Sequence, residues 1–315
     1  MDFDLHLRAP EAAGSSASPS PPRVQAMPPP GPMQPITTTA NEPPPLSSLP
    51  DASKVGAARG PSLKIRELDL NLLHPQTAQD ASSGRYVAIG RPGSGKSSVI
   101  LSLIYAKKHI LPVGQIFSGT EDSNHFYSKR FPEAFLFGQL SEDAVGSFIR
   151  RQKLAMQYLP ECPWALQLID DCTDDPKILK KPLFQNIYKN GRHFKMLHIL
   201  SLQYALDLLP SIRTSIDGTF IMREPTARSR KILWENYASI VPTFDMFNDI
   251  MDQLTTDYTA VFINNRIQSN NVEDCVFYYR ADLGAIPDSW KFGSESYWKF
   301  HQDRYDPSYM DEYSV

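Results

Sequence analysis

The chain has 315 residues, of which 41% are hydrophobic and 21% charged, with a formal net charge of −3. This suits one large globular domain or two small ones, and the slightly acidic total argues against a protein that coats nucleic acid over its whole surface, though not against a ring whose pore alone is basic. No apolar stretch approaches the length needed to span a bilayer, and Met1-Asp2-Phe3-Asp4 lacks the basic start and apolar run of a secretory leader, so neither is expected. Cys162, Cys172 and Cys275 are widely spaced and form no C-x-x-C pair, so neither a zinc site nor a disulfide framework is indicated, and a reducing intracellular setting is expected.

Residues 1–62 hold roughly half of the 27 prolines, in runs such as Pro28-Pro29-Pro30 and Pro43-Pro44-Pro45. This composition buries too little apolar surface to offset chain entropy, so a disordered tail is expected. It is either passive or a tether that docks a partner through polyproline segments. Leu63–Leu70 alternates as a short strand leading into the next region.

From Arg85 onward, strand and helix patterns alternate. Arg85–Ile89 reads as a buried strand, and Ser98–Lys108 as a helix with Val99, Ile100, Leu103 and Ile104 on its apolar face. Between them Gly90-Arg91-Pro92-Gly93-Ser94-Gly95-Lys96-Ser97 fits G-x-x-x-x-G-K-[ST], a phosphate-binding loop in its expected strand–loop–helix context. Its glycines let backbone N–H groups turn inward on phosphate oxygens, and the helix start, through Ser98, adds partial positive charge. Lys96 is expected to reach the β- and γ-phosphates of ATP, and Ser97 to hold Mg²⁺.

Further strands are expected at Gln115–Ser118, Trp164–Ile169, Met196–Leu202 and Gly218–Met222, with a late pair at Tyr258–Ile263 and Cys275–Tyr279. Helices are expected at Ser141–Tyr158, where Ser141 suits the N-cap, and at Phe184–Asn190, Ala227–Tyr237 and Thr243–Leu254. The fold class this predicts is α/β: a P-loop NTPase with a central, mostly parallel sheet of the RecA-like kind, in which an extra strand lies between the phosphate-loop strand and the carboxylate-ended one. The expected domains are the tail at 1–62, the ATPase domain at 63–285 and an aromatic-rich C-terminal extension at 286–315. The aromatic residues of that extension either pack on the core or contact a partner.

The strand Trp164–Ile169 ends in Asp170 and Asp171, the Walker B pattern. One carboxylate must face the Mg²⁺ shell and a second must polarise the attacking water. Asp170 is read as the metal-side residue and Asp171 as the base, though Asp is one methylene shorter than the Glu common at that place. Gln203, at the end of Met196–Leu202, is positioned to sense the γ-phosphate. An arginine from a neighbouring subunit would neutralise charge on the transferred phosphoryl group; Arg192 is the first candidate and Arg213 the second, and a surface salt bridge is the ordinary alternative for each. His193, His198 and Cys172 are read as structural. No N-K-x-D element for guanine is found, nor the Gly-rich loop and lysine of a protein kinase.

Four segments in order, GRPGSGKS, LQLIDDC, NGRHFKMLHILSLQY and LPSIRTSIDGTFIMRE, resemble the poxvirus-type DNA-packaging ATPases of large nucleocytoplasmic DNA viruses, within the FtsK–HerA superfamily. The similarity runs from about Leu63 to about Asp282 and includes VFYYRAD. It implies ATP and Mg²⁺ at Lys96, Ser97, Asp170 and Asp171, Gln203 as sensor, and Arg192 acting across a subunit boundary. It also implies a homo-oligomeric ring that threads double-stranded DNA, without sequence preference, into a capsid, with capsid or portal partners, in the virion or at the viral assembly site in the host cytoplasm. Candidate pore positives are Arg150, Arg151, Lys153, Lys177, Lys180 and Lys181, each equally readable as a solvated face. The competing classes are a small-molecule or nucleoside kinase, a nucleotide-gated scaffold that hydrolyses little, and a translocase of a cell or mobile element.

Overall fold

Runs such as Arg85–Ile89 and Gly114–Ser118 are buried along their whole length, the pattern of strands covered on both faces. In the computed structural model, which describes residues 2–6, 62–172 and 177–306, these runs form one ten-stranded sheet with helices on either side.

In chain order the elements are β1 (Asp2–His6), β2 (Ser62–Glu67), β3 (Arg85–Ile89), α1 (Lys96–Ala106), β4 (Gly114–Ser118), α2 (Glu121–Asn124), β5 (Leu136–Phe137) and α3 (Glu142–Tyr158). Then follow β6 (Ala165–Asp170), α4 (Pro182–Asn190), β7 (Met196–Leu202), α5 (Pro210–Arg213), β8 (Gly218–Ile221), α6 (Ala227–Tyr237) and α7 (Phe244–Leu254). The last are β9 (Thr259–Asn264), α8 (Val272–Cys275), β10 (Val276–Arg280) and α9 (Glu295–Arg304). Ser141 caps α3 by accepting from the Ala144 amide, and Thr243 caps α7 by accepting from Met246. Pro182 opens α4 and Gly191 follows its end, the usual asymmetry.

The strand order is β1-β2-β10-β9-β8-β3-β7-β6-β4-β5. From β8 through β5 the pairs are parallel, whereas β9 runs antiparallel to both its neighbours. β7 sits between β3 and β6, so the strand bearing the phosphate loop and the strand bearing the carboxylates are separated by one strand, as expected. One face is covered by apolar residues of α3, α4, α6 and α7, including Phe148, Phe184, Leu233 and Phe247. The other is covered by α1 and by the segment around Phe292 and Tyr297. That C-terminal segment is bound to the same core: Tyr297 donates to the Gly114 carbonyl at 2.7 Å, and Phe292 stacks on Phe131 at 4.6 Å. Trp290 meets Tyr105 edge-on at 5.0 Å. Residues 307–315, with Tyr309 and Tyr313, lie outside the described residues.

One expectation needs correction. A disordered tail is expected over residues 1–62, yet Asp2–His6 forms β1 and pairs antiparallel with β2, from Asp2 opposite Arg66 to His6 opposite Ser62. Phe3 and Leu5 alternate with Asp2, Asp4 and His6, the strand period of two, which the proline-rich average of the whole tail hides. Residues 7–61 lie outside the described residues.

The register also aligns four buried polar residues on adjacent strands. Gln115 lies opposite Gln167, Gln167 opposite His198, and His198 opposite Arg85. Their bonds run in one direction: Gln115 donates to the Ala144 carbonyl, Gln167 Nε2 donates to Gln115 Oε1, and Gln167 Oε1 lies 3.0 Å from His198 Nδ1. With that nitrogen protonated, His198 Nε2 accepts from the Tyr188 hydroxyl at 2.9 Å. Arg85 bonds Asp217 through Nε at 2.9 Å, with both side chains 2% exposed.

Candidate active site

The carboxyl ends of β3, β6 and β7 bring the motif residues together. This is where ligands bind in open α/β sheets, because loops diverge there. β3 ends at Ile89 and the chain turns through Gly90 to Gly95 into α1. Gly93 and Gly95 have φ of 71° and 95°, in the left-handed region that suits glycine. A Cβ on Gly90 would lie 2.5 Å from Met222 Cβ, so β8's continuation seats the loop only against a glycine.

Lys96 opens α1 and is buried, with Nζ donating to the Gly90 and Arg91 carbonyls at 2.8 and 3.1 Å. Burial holds its pKa below the ordinary lysine value, opposed by the charges of Asp171 and Asp170. Next to it Ser97 Oγ donates to Asp170 Oδ2 at 2.8 Å, linking loop to strand end. Asp170 is 3% exposed. Its Oδ2 also accepts from the Tyr127 hydroxyl at 2.6 Å, while its Oδ1 is buried without a partner among the described residues. A buried carboxylate oxygen with no donor fits a hard cation, and Ser97 supplies a second oxygen beside it. Among the described residues no group of three or more His, Cys, Asp or Glu surrounds a point, so a cation here would take its other ligands from phosphate and water, the habit of Mg²⁺.

Asp171 follows at φ 53°, a left-handed turn that turns the chain away from the strand line, and Gly119 makes room for its carbonyl. Gln203, just past β7, donates through Nε2 to Asp171 Oδ1. Lys96, Ser97, Asp170, Asp171 and Gln203 are therefore contiguous. Gly93, Gly95, Lys96, Ser97, Ser98, Asp170 and Asp171 line one cleft of about 610 Å³, within the range of small-molecule sites.

Other candidates fall elsewhere. Arg91 gives the loop its backbone, but its guanidinium pairs with Glu224 at 3.0 and 3.2 Å and with Thr226 at 2.8 Å. Gly90, Arg91 and Pro92 line a second cavity behind the loop with Gln203 and Glu224. Arg192 lies in the turn before β7, so the seven-residue strand separates it by roughly 20 Å from Gln203 at its far end. Its side chain lies outside the described part. Arg213 is engaged within its own fold: it donates to the Leu208 carbonyl and to Asn236, and lies 5.8 Å from the Tyr237 ring. Arg150 donates to Ser147, Arg151 to Gln152 and Lys181 pairs with Glu142, while Lys153 stands 5.9 Å from the Phe194 ring and Lys177 and Lys180 are exposed. His198 and Cys172 are buried in the core, as read from the sequence.

Sequence reasoning missed Tyr127, Glu224 and Tyr258, whose exposed ring rises beside Gly95. Only Glu224 left a trace, as an acidic residue just past β8.

Strand order, loop and carboxylate geometry together define a P-loop NTPase fold, α/β with a mostly parallel sheet. No protein-family model matches the chain. It is 46% identical over 241 residues to the uncharacterized protein 088R of Invertebrate iridescent virus 3, covering 75% of this chain and 92% of that one. It is 43% identical to the uncharacterized protein 075L of Invertebrate iridescent virus 6, over 78% and 96%. To the uncharacterized protein 015R of Frog virus 3 it is 35% identical, over 75% and 74%. The chain belongs to this family of large DNA virus proteins, the setting that its motif resemblance implies. Among solved structures, the genome packaging NTPase B204 from Sulfolobus turreted icosahedral virus 2 in complex with ATP-gammaS is 16% identical over 64% of this chain and 98% of that one, with a TM-score of 0.47. The pCW3 conjugation coupling protein TcpA is 12% identical over 70% and 62%, with a TM-score of 0.44. Likeness at that level is loose, and the class of fold stands on the strand order and loop. No helix among the described residues is long and apolar enough to cross a membrane.

Proposed function

We propose that this protein hydrolyses ATP at the carboxyl rim of its sheet and uses the turnover to move double-stranded DNA during viral genome packaging. The observation that carries the ATPase reading is the contact of loop and strand end: Ser97 donates to Asp170 Oδ2, and Asp170 Oδ1 is buried without a partner among the described residues. Backbone N–H groups of the loop and the Lys96 ammonium would receive the phosphates. Ser97 and Asp170 would hold Mg²⁺, which when bound neutralises phosphate charge. Asp171 is proposed to accept the proton of the attacking water. Gln203 fixes the Asp171 carboxylate through Oδ1, so a change at the γ-phosphate that moves either residue is passed to β7.

The DNA-packaging part rests on the motif resemblance and on relatives in large DNA viruses. A ring is proposed from the motif resemblance: Arg192 precedes β7 at the end of that strand away from Asp171, and is proposed to act on a neighbour's site. Capsid or portal proteins are the proposed partners and the virion or assembly site the proposed location.

The test is phosphate release by purified protein with and without double-stranded DNA, alongside Asp171→Asn. Turnover raised by DNA and abolished in the variant, with ATP binding retained, is expected. Turnover indifferent to DNA would remove the motor and leave an ATPase that acts on something else.

A further inference from the structure

The cleft that holds Lys96, Ser97, Asp170 and Asp171 does not stop at the phosphate loop. Beyond Gly95 it continues along Asp257, Tyr258, Arg280 and Leu283. β6, with its carboxylates, lies on one side of β3, and β9 and β10 lie on the other. A triphosphate whose terminal group faces Asp170 therefore sends its nucleoside toward the start of β9 and the end of β10.

Tyr258 occupies that end in an unusual way. Asp257 and Tyr258 have φ of 48° and 60°, two successive non-glycine residues in the left-handed region. A bulky side chain holds that conformation only where its surroundings impose it, and such strain gathers at ligand sites. The turn carries the ring out of the core, so that Tyr258 is 69% exposed. It nevertheless stays over the loop: a Cβ built on Gly95 would lie 3.4 Å from both Cβ and Cδ1 of Tyr258. An exposed aromatic ring gains nothing there from burial, and a nucleobase offers it a flat apolar face. Arg280, exposed at the end of β10, flanks the same stretch.

We infer that Tyr258 is the platform on which the base of the bound nucleotide stacks. This rests on the reading of the loop as an ATP site, and the experiment separates the two. With Mg²⁺ present, ATP and inorganic tripolyphosphate are titrated calorimetrically into the full chain and its variants. Tyr258→Ala should weaken ATP about tenfold, the scale of one stacked base, and leave tripolyphosphate unchanged. Tyr258→Phe should bind ATP as the natural chain does. Tyr258→Gly accepts the left-handed turn without strain, so its melting temperature should hold or rise while ATP affinity falls, which excludes misfolding as the cause. Equal effects of Tyr258→Ala on both ligands, or none on either, would overturn the platform. Unchanged binding of both ligands to Lys96→Ala would instead remove the phosphate site, and the platform with it.

Discussion

The two ends of the central sheet treat polar groups in opposite ways. Toward the amino ends of its strands, Arg85, His198, Gln167 and Gln115 are buried side by side and every one is partnered. At the carboxyl ends, Asp170 Oδ1 and Ser94 Oγ are buried without partners among the described residues, and the hydrogen bonds of buried Lys96 go to the Gly90 and Arg91 carbonyls. A satisfied buried network fixes register, because a slip of one residue would strand each of its groups in the core. An unsatisfied one costs stability and is retained where a ligand completes it. The contrast divides the polar core into a part that builds the sheet and a part that the proposed nucleotide would complete, and substitutions at the two ends should separate in what they change.

The largest effect is expected at the satisfied end. Arg85→Met leaves the Asp217 carboxylate, 2% exposed, without its main ion partner. Removing one member of a buried pair costs about 3–5 kcal/mol. Chemical denaturation should show that loss, while folded protein keeps its ATP affinity. A loss below about 1 kcal/mol would mean that Arg266, 3.4 Å from Asp217, and the backbone amide at 85 suffice to hold the charge, and the division would blur.

At the other end, Lys96→Ala should cut phosphate release by about 10²–10³-fold, the scale of losing one preorganised positive donor. Its melting temperature should stay level or rise, because folding currently desolvates an ammonium whose pKa burial lowers. A thermal melt alongside the turnover assay checks both. If the variant lost as much stability as Arg85→Met, the two ends would not differ in kind.

The third prediction concerns pH. Burial, with Arg85 nearby, lowers the His198 pKa to about 3, against 6.5 for the free side chain. As pH falls the unfolded chain takes up this proton first, so stability drops from pH 6.5 toward 3. At pH 5 the loss from this residue is about 2 kcal/mol. His198→Gln carries no such proton and should flatten that part of the profile, measured as denaturation midpoints between about pH 5 and 7. Equal slopes in the two proteins would show that His198 does not remain neutral in the folded sheet.

This division also sets what could be read from the sequence. That the loop, Asp170, Asp171 and Gln203 come together was legible because each lies at a fixed offset from a strand end, so local pattern and candidate site coincide. The order of β3, β7 and β6 came with the fold class that the motifs imply. The polar ladder was not legible: Arg85, Gln115, Gln167 and His198 become neighbours only once four registers are set. In the sequence Gln167 and His198 only interrupt apolar runs, and His198 is read as structural with no partner to name. β1 was lost for a different reason, since a five-residue strand was averaged into a long proline-rich composition. Arg213 looked available as an isolated residue, and only α6 reveals that Asn236 and Tyr237 already hold it.

Tyr127 refines the contrast, because it brings one satisfied contact into the unsatisfied end. It lies in the loop after α2, where buried Glu121 accepts from the Tyr127 and Ser128 amides and fixes the chain. Its hydroxyl and that of Ser97 both donate to Asp170 Oδ2, so the carboxylate cannot rotate freely and Oδ1 keeps its direction. Burial and the Asp170 charge push the phenol pKa well above its ordinary value, so it remains a donor throughout the working range. In the proposed Mg²⁺ site Tyr127 is thus a positioning residue for Asp170. Tyr127→Phe keeps the edge-on contacts with Phe126 and Phe131 at 4.9 and 5.8 Å and removes only the hydroxyl. Losing an orienting partner of a metal ligand typically weakens metal affinity about tenfold or more, so the Mg²⁺ concentration for half-maximal phosphate release should rise by that factor. Stability should change by only about 1 kcal/mol, the net value of one hydrogen bond. A larger stability loss with an unchanged Mg²⁺ requirement would make Tyr127 part of the scaffold, and Asp170 would then be aimed by Ser97 alone.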